Sequence, residues 1–198
     1  CVPPFFYRQT DEAIVEHYRA VAASADLPFY VYNLPQSTGV EITVELMQKI
    51  QDAVPQLAGL KHSSINFANV REWVKMDLKC FIGSSMLMVP ALSIGAVGCI
   101  DGPPCAAPEL WVNIWKSWQT GNIDEAMDAQ KKASSFTEIM REAGVHSGTK
   151  AVLTERLGID CGSGRLPNPP LEGKRRENIL QRVADLGIGA VMSMASDD

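Results

Sequence analysis

The chain has 198 residues, with 18 Lys and Arg against 23 Asp and Glu, for a formal net charge of −5. Hydrophobic residues make up 46% and charged residues 21%, which excludes a disordered, collagen-like or disulfide-stapled chain. An acidic balance with no basic cluster excludes non-specific binding to nucleic acid or to an anionic membrane.

The five cysteines, Cys1, Cys80, Cys99, Cys105 and Cys161, form no C-x-x-C pair and match no zinc spacing. They read as buried or incidental thiols in a reducing compartment, with Cys99 in the core, and no metal site is expected. No apolar run approaches the ~20 residues of a membrane span. A cytoplasmic protein is therefore expected. The first residue is Cys rather than Met, so the chain is expected to begin inside a fold.

Cys1-Val2 reads as the tail of a strand ended by Pro3-Pro4. Thr10-Asp11-Glu12 opens a helix with a cap and an acidic first turn, and Ile14, Val15, Tyr18, Val21 and Ala22 form its apolar stripe. Residues 28–32 are a short aromatic and β-branched run, hence a strand; Asn33-Leu34-Pro35 ends it and Gly39 follows in a loop. Thr43 caps a second helix with Leu46, Met47, Ile50 and Val54 on one face. Residues 57–61 form the next strand, 66–74 a third helix, 79–83 a strand, 86–94 a buried helix and 97–101 a strand. The strand ends Tyr32, Lys61, Gly83 and Asp101 are 29, 22 and 18 residues apart, and each gap holds one helix, as a βα repeat requires.

After Asp101 only helices are expected. Pro108 starts one that carries Leu110, Trp111, Ile114, Trp115 and Trp118. Gly121-Asn122 breaks it, and a long helix follows from Ile123 to Ala143, stopped by Gly144. A shorter helix covers 149–157, a Pro-rich loop 166–171, and a last helix 172–186; residues 192–198 read as a disordered tail.

Four βα units close either as an open doubly wound sheet or as part of a (β/α)₈ barrel. The first calls for a Gly-rich phosphate loop after a strand, and none is present. In a barrel the strand C-termini carry the chemistry, which singles out Tyr32, Lys61, Gly83 to Ser85 and Asp101. A lysine at such a mouth has its ammonium disfavoured by desolvation and becomes an amine able to attack a carbonyl; equally, it can mark where the strand meets water. Tyr32 is a proton donor and acceptor at the same mouth, or a space-filling aromatic. Ser63, two residues after Lys61, shares its face, while His62 points into the wall. His17, His62 and His146 show no metal-ligand spacing and read as structural or surface groups.

Together these pieces resemble the N-acetylneuraminate lyase and dihydrodipicolinate synthase superfamily. Tyr32-Asn33-Leu34-Pro35 with Thr38-Gly39 resembles its Y-N-x-P-x-x-[ST]-G segment, and Gly59-Leu60-Lys61-His62-Ser63 its G-[IL]-K-x-[ST] strand. Residues 90–98 resemble the helix and glycine-flanked eighth strand. Arg165-Leu166-Pro167 through Leu171 resembles the R-x-P-x-x-P-L loop, and Pro4-Phe5-Phe6-Tyr7 the P-[FY]-[FY]-Y loop after strand four. The ordered match runs over about residues 2–186.

The resemblance implies a (β/α)₈ barrel with a C-terminal helical region, usually a homotetramer, acting on pyruvate or other 2-oxo acids with no metal or organic cofactor beyond the covalent Schiff base. Lys61 would form the imine and Tyr32 shuttle the proton. Ser63, Gly83, Ser85, Phe6 and the backbone of Ile100 would bind substrate. Ser37 stands where dihydrodipicolinate synthases carry an Arg, and Phe6 where they carry a relay Tyr. Gly83-Ser84-Ser85-Met86 lacks the acidic pair of sialate lyases and is more similar to 2-keto-3-deoxygluconate aldolases. An aldolase or lyase of a 2-oxo (sugar) acid is therefore expected. The alternatives are a dihydrodipicolinate synthase-like condensing enzyme and a non-catalytic barrel remnant working through oligomer contacts such as the Trp stripe. Residues 1–106 are expected to supply strands five to eight of the barrel and 107–198 the helical region, with the other half of the barrel outside this chain.

Overall fold

A computed structural model of the chain describes residues 1–189, so the tail expected to be disordered lies outside the described residues. Contacts divide the chain into two units, Cys1–Ile100 and the residues from Asp101 onward.

The first unit begins with α1 (Asp11–Ala22), started by Thr10, whose hydroxyl accepts the Ala13 N–H at 3.3 Å. β1 (Phe29–Asn33) follows, then a single helical turn, α2 (Pro35–Thr38), where a plain loop was expected. Proline at the first helical position explains that turn, because its fixed φ suits a helix and its missing N–H is not needed there. α3 (Val44–Ala53) starts at Thr43, which accepts the Leu46 N–H at 3.2 Å. β2 (Leu57–His62), a 3₁₀ turn (Phe67–Asn69) leading into α4 (Val70–Lys75), β3 (Lys79–Ile82), a second 3₁₀ turn (Ser85–Leu87) leading into α5 (Met88–Ser93), and β4 (Gly98–Cys99) complete it.

The four strands form one parallel sheet in chain order. Cys1 extends it on the β1 side: its nitrogen donates to Tyr30 O at 2.9 Å and its carbonyl accepts from Tyr32 N at 2.7 Å, the pattern of a parallel ladder. β4 is short by formal assignment, yet Val97 N donates to Cys80 O and Ile100 N to Ile82 O, so pairing runs over the predicted segment.

Alternation gives the sheet two different faces. Val31, Leu60 and Cys80 are wholly buried beneath Ile14, Tyr18, Leu46, Met47, Ile50 and Trp73. Burial raises the Cys80 thiol to about 12, so this cysteine is an inert core residue. Cys99, expected in the core, is only half-buried at the end of the sheet. The opposite face carries Tyr30, Tyr32, Lys61 and Phe81, all half-buried, with the rings of Tyr30 and Phe81 5.9 Å apart.

The second unit is helical: a 3₁₀ turn (Pro103–Cys105), α6 (Pro108–Gln119), α7 (Ile123–Ala143), α8 (Val145–Leu157) and α9 (Gly173–Asp185). Trp111 of α6 packs edge-on to Phe136 of α7, their ring centres 6.2 Å apart. In the Trp stripe, Trp111 is buried, Trp118 half-buried and Trp115 37% exposed. α8 starts at Val145, four residues before the predicted start. The segment Val145-His146-Ser147-Gly148 has weak intrinsic helix propensity, but Gly148 packs on Ala143 and Met140 at the end of α7, Ser147 is buried with its hydroxyl donating to the Pro169 carbonyl at 2.7 Å, and packing decides. α7 and α8 are joined by Gly144 alone, at φ +84°, a conformation that costs a side-chain-bearing residue about 1 kcal/mol or more.

Candidate active site

β1 and β2 bring Tyr32 and Lys61 side by side. They are register partners in a parallel pair, so their side chains leave the same face of the sheet. The Lys61 Nζ lies 4.1 Å from the centre of the Tyr32 ring, within the range of a cation–π contact. Both sit at the C-terminal ends of their strands, where a barrel gathers its catalytic groups.

Ser63 follows two residues on. Its N–H donates to Asn33 O at 2.8 Å, and its carbonyl accepts from Gln36 Nε2 at 2.8 Å, so its backbone is tied to both β1 and α2. Gly83 packs directly on it. A Cβ built on Gly83 would fall 1.8 Å from Ser63 Oγ, 2.7 Å from its Cβ and 3.0 Å from its Cα. Glycine here is a requirement of close approach rather than of a turn.

Ser85 is completely buried at the start of its 3₁₀ turn. Ile100 lies just past β4, its N–H committed to Ile82 O at 3.0 Å and its side chain 46% exposed. Phe6 is 84% exposed and stacks edge-on with Tyr7. It lines a cavity of about 400 Å³ with Cys1, Pro3 and His17, residues that do not include Lys61. The structure thus brings together Tyr32 with Lys61 and Ser63 with Gly83, while Phe6 stands in a loop of its own.

On the reverse of the same strand ends lies a buried polar cluster not anticipated as a unit. His62, wholly buried, has Nδ1 3.2 Å from Trp73 Nε1 and Nε2 3.1 Å from the Asn66 carbonyl. Asn33, also wholly buried, donates to Glu41 Oε1 at 2.9 Å. Desolvation pushes the His62 pKa below its usual value, opposed in part by the hydrogen bond to the Asn66 carbonyl and then by the neighbouring Glu41. The detectable signal was alternation itself, which sends His62 and Asn33 to the helix-covered face, where an imidazole and an amide need partners. Among the described residues no group of three or more His, Cys, Asp or Glu side chains is arranged to hold a metal, and no helix is long and apolar enough to cross a membrane.

A parallel sheet flanked by helices, followed by a helical region, is shared with known proteins. The chain belongs to the dihydrodipicolinate synthetase family, which it matches over residues 1–186. It is 33% identical over 189 residues to an uncharacterized DapA-like lyase of Halobacterium salinarum, covering 94% of this chain and 62% of that one. The structure of a Ruminococcus gnavus sialic acid aldolase with its catalytic lysine mutated superimposes with a TM-score of 0.86 at 25% identity, covering 94% and 64%. A Sulfolobus solfataricus 2-keto-3-deoxygluconate aldolase variant gives 0.83 at 24%, covering 94% and 63%. The fold is that of (β/α)₈ barrel enzymes with a helical C-terminal region, and this chain spans less than two thirds of the length of these relatives.

Proposed function

We propose that the whole protein is a class I aldolase or lyase that makes or breaks a carbon–carbon bond in a 2-oxo (sugar) acid through an imine on Lys61. The observation that carries this reading is the Lys61–Tyr32 pair, with Nζ 4.1 Å from the ring centre on one face of the strand ends. The family supports a lyase at the general level, and the R. gnavus relative is described as having a catalytic lysine.

In this reading the free Lys61 amine attacks the keto carbon and the carbinolamine loses water. The resulting protonated imine withdraws the electron pair of the breaking carbon–carbon bond. Tyr32 accepts the proton of the departing hydroxyl as the aldehyde forms, and later returns a proton to the enamine carbon. Hydrolysis of the imine releases the 2-oxo acid and restores Lys61. Ser63 and the segment from Gly83 to Ser85 are assigned to the substrate's carbonyl and hydroxyl groups, and the backbone of Ile100 to the pyruvyl part. The chemistry needs no metal or organic cofactor.

Ser37, exposed on α2, offers no cation for an incoming dicarboxylate, which favours aldol cleavage over a dihydrodipicolinate synthase-like condensation. The protein is further proposed to be a cytoplasmic homo-oligomer. Borohydride reduction with pyruvate, followed by peptide mass spectrometry, tests the central claim. A pyruvyl adduct on Lys61 that disappears in Lys61→Ala is expected; an unmodified Lys61 at saturating pyruvate refutes it.

A further inference from the structure

We infer that His62 is a positioning residue for Lys61, Ser63 and Tyr32, acting through a closed ring of hydrogen bonds behind the strand ends; the inference rests on the imine reading above. β1 ends as Tyr32-Asn33 and β2 continues as Lys61-His62-Ser63-Ser64. The residues assigned to chemistry alternate with Asn33, His62 and Ser64, and these three are joined to one another on the far side of the sheet.

The tautomer follows from the partners. An indole Nε1–H only donates, so His62 Nδ1, 3.2 Å from Trp73 Nε1, must accept. The ring proton therefore sits on Nε2 and is donated to the Asn66 carbonyl at 3.1 Å. Asn33 Nδ2 lies 3.5 Å from the same Nδ1 and donates to Glu41 Oε1 at 2.9 Å, while Asn33 Oδ1 accepts the Ile42 N–H at 3.1 Å. Glu41 Oε2 accepts from Ser64 Oγ at 2.9 Å, and Ser64 Oγ accepts the Asn66 N–H at 3.1 Å. The circuit runs from imidazole to Asn66, Ser64, Glu41, Asn33 and back.

His62, Asn33 and Trp73 have no exposed surface and Ser64 only 8%. Turning or shifting the imidazole leaves buried donors or acceptors without partners, so its plane and tautomer are held. Each of Tyr32, Lys61 and Ser63 is one peptide bond from a member of the circuit. A displacement of about 1 Å at a reacting group can lower a rate by about 100-fold. The circuit is placed to prevent such a displacement at all three residues.

The test uses the whole protein and three variants. His62→Phe keeps the ring's bulk and removes both hydrogen-bonding nitrogens. Trp73→Phe removes the nearer of the two donors to Nδ1. His62→Asn keeps an acceptor near the Nδ1 position. The readouts are the rate of borohydride-trapped pyruvyl adduct on Lys61 per folded molecule and the ¹⁵N signals of His62. The parent is expected to show Nε2–H and unprotonated Nδ1. Trapping is expected to slow at least about ten-fold in His62→Phe and Trp73→Phe, and by less in His62→Asn, which keeps an acceptor near Nδ1 but lacks the Nε2–H given to the Asn66 carbonyl.

An Nδ1–H tautomer in the parent, or folded variants that trap at the parental rate, overturns the inference while leaving the imine reading intact. No adduct on the parent removes the imine reading and the inference with it. Should His62→Phe not fold, Trp73→Phe and His62→Asn decide by the same criteria.

Discussion

Replacing Gly83 with alanine tests the geometry of the strand ends most directly. The added Cβ would sit 1.8 Å from Ser63 Oγ, and a rotation about χ1 of Ser63 can relieve that clash. It cannot relieve the approach to Ser63 Cβ at 2.7 Å or Cα at 3.0 Å, since neither atom moves with χ1. Reaching ordinary contact at 3.4 Å takes a shift of 0.7 Å from the Cβ distance of 2.7 Å, and the shift must come from backbone. That backbone is held by Ser63 N to Asn33 O at 2.8 Å, Gln36 Nε2 to Ser63 O at 2.8 Å and Gly83 N to His62 O at 2.7 Å. Overpacking of this kind costs about 1–3 kcal/mol, which lowers a urea midpoint by about 1 M. Ser63→Gly removes the Oγ and Cβ that meet the new methyl, so Gly83→Ala/Ser63→Gly is expected to recover most of the loss. The coupling energy of the double-mutant cycle should be about 1–2 kcal/mol. Equilibrium unfolding in urea of the four proteins is the assay. A Gly83→Ala midpoint equal to the parent's, or single-variant effects that simply add, refutes the reasoning.

Two further outcomes follow from buried groups. Tyr18 is fully buried, and among the described residues its hydroxyl is the buried side-chain polar atom without a hydrogen-bond partner. Tyr18→Phe removes an uncompensated desolvation cost and is expected to stabilise the protein by about 1 kcal/mol; a lower urea midpoint contradicts this. His62 has a folded-state pKa below its unfolded value of about 6.5, so above that pH the group is neutral in both states and stability does not depend on it. As pH falls through about 6.5 the unfolded chain binds the proton first, and stability declines by up to about 1.4 kcal/mol per pH unit until the folded-state pKa is reached. Urea midpoints at pH 7.5 and 5.5 should differ in the parent and differ less in His62→Asn; equal slopes remove His62 as the source.

The βα rhythm was legible because it depends on local patterning. Thr10 and Thr43 cap the helices they were expected to cap, and the strands fall within a residue or two of their predicted ends. The face shared by Tyr32 and Lys61 follows from alternation once strand order is known, but the 4.1 Å approach between them depends on register, which no single strand encodes. The early start of α8 was not legible, because its first turn is helical through the burial of Ser147 and Gly148 in the packed fold and not through the segment's own propensities. The circuit around His62 was hidden for a related reason. Its members come from β1, the segment before α3, the end of β2 and α4, and only the packed fold brings Trp73 to the imidazole.

The four tryptophans divide unequally: Trp73 lies in the first unit, and Trp111, Trp115 and Trp118 all lie on α6 of the second. Trp73 is dark to solvent and stacks edge-on to His62, with ring centres 5.9 Å apart. A charged imidazole quenches a neighbouring indole, whereas a neutral one quenches it weakly. The chain therefore carries its own optical reporter: in a protein whose three α6 indoles are replaced by phenylalanine, the remaining emission dims when the pH falls far enough to charge His62.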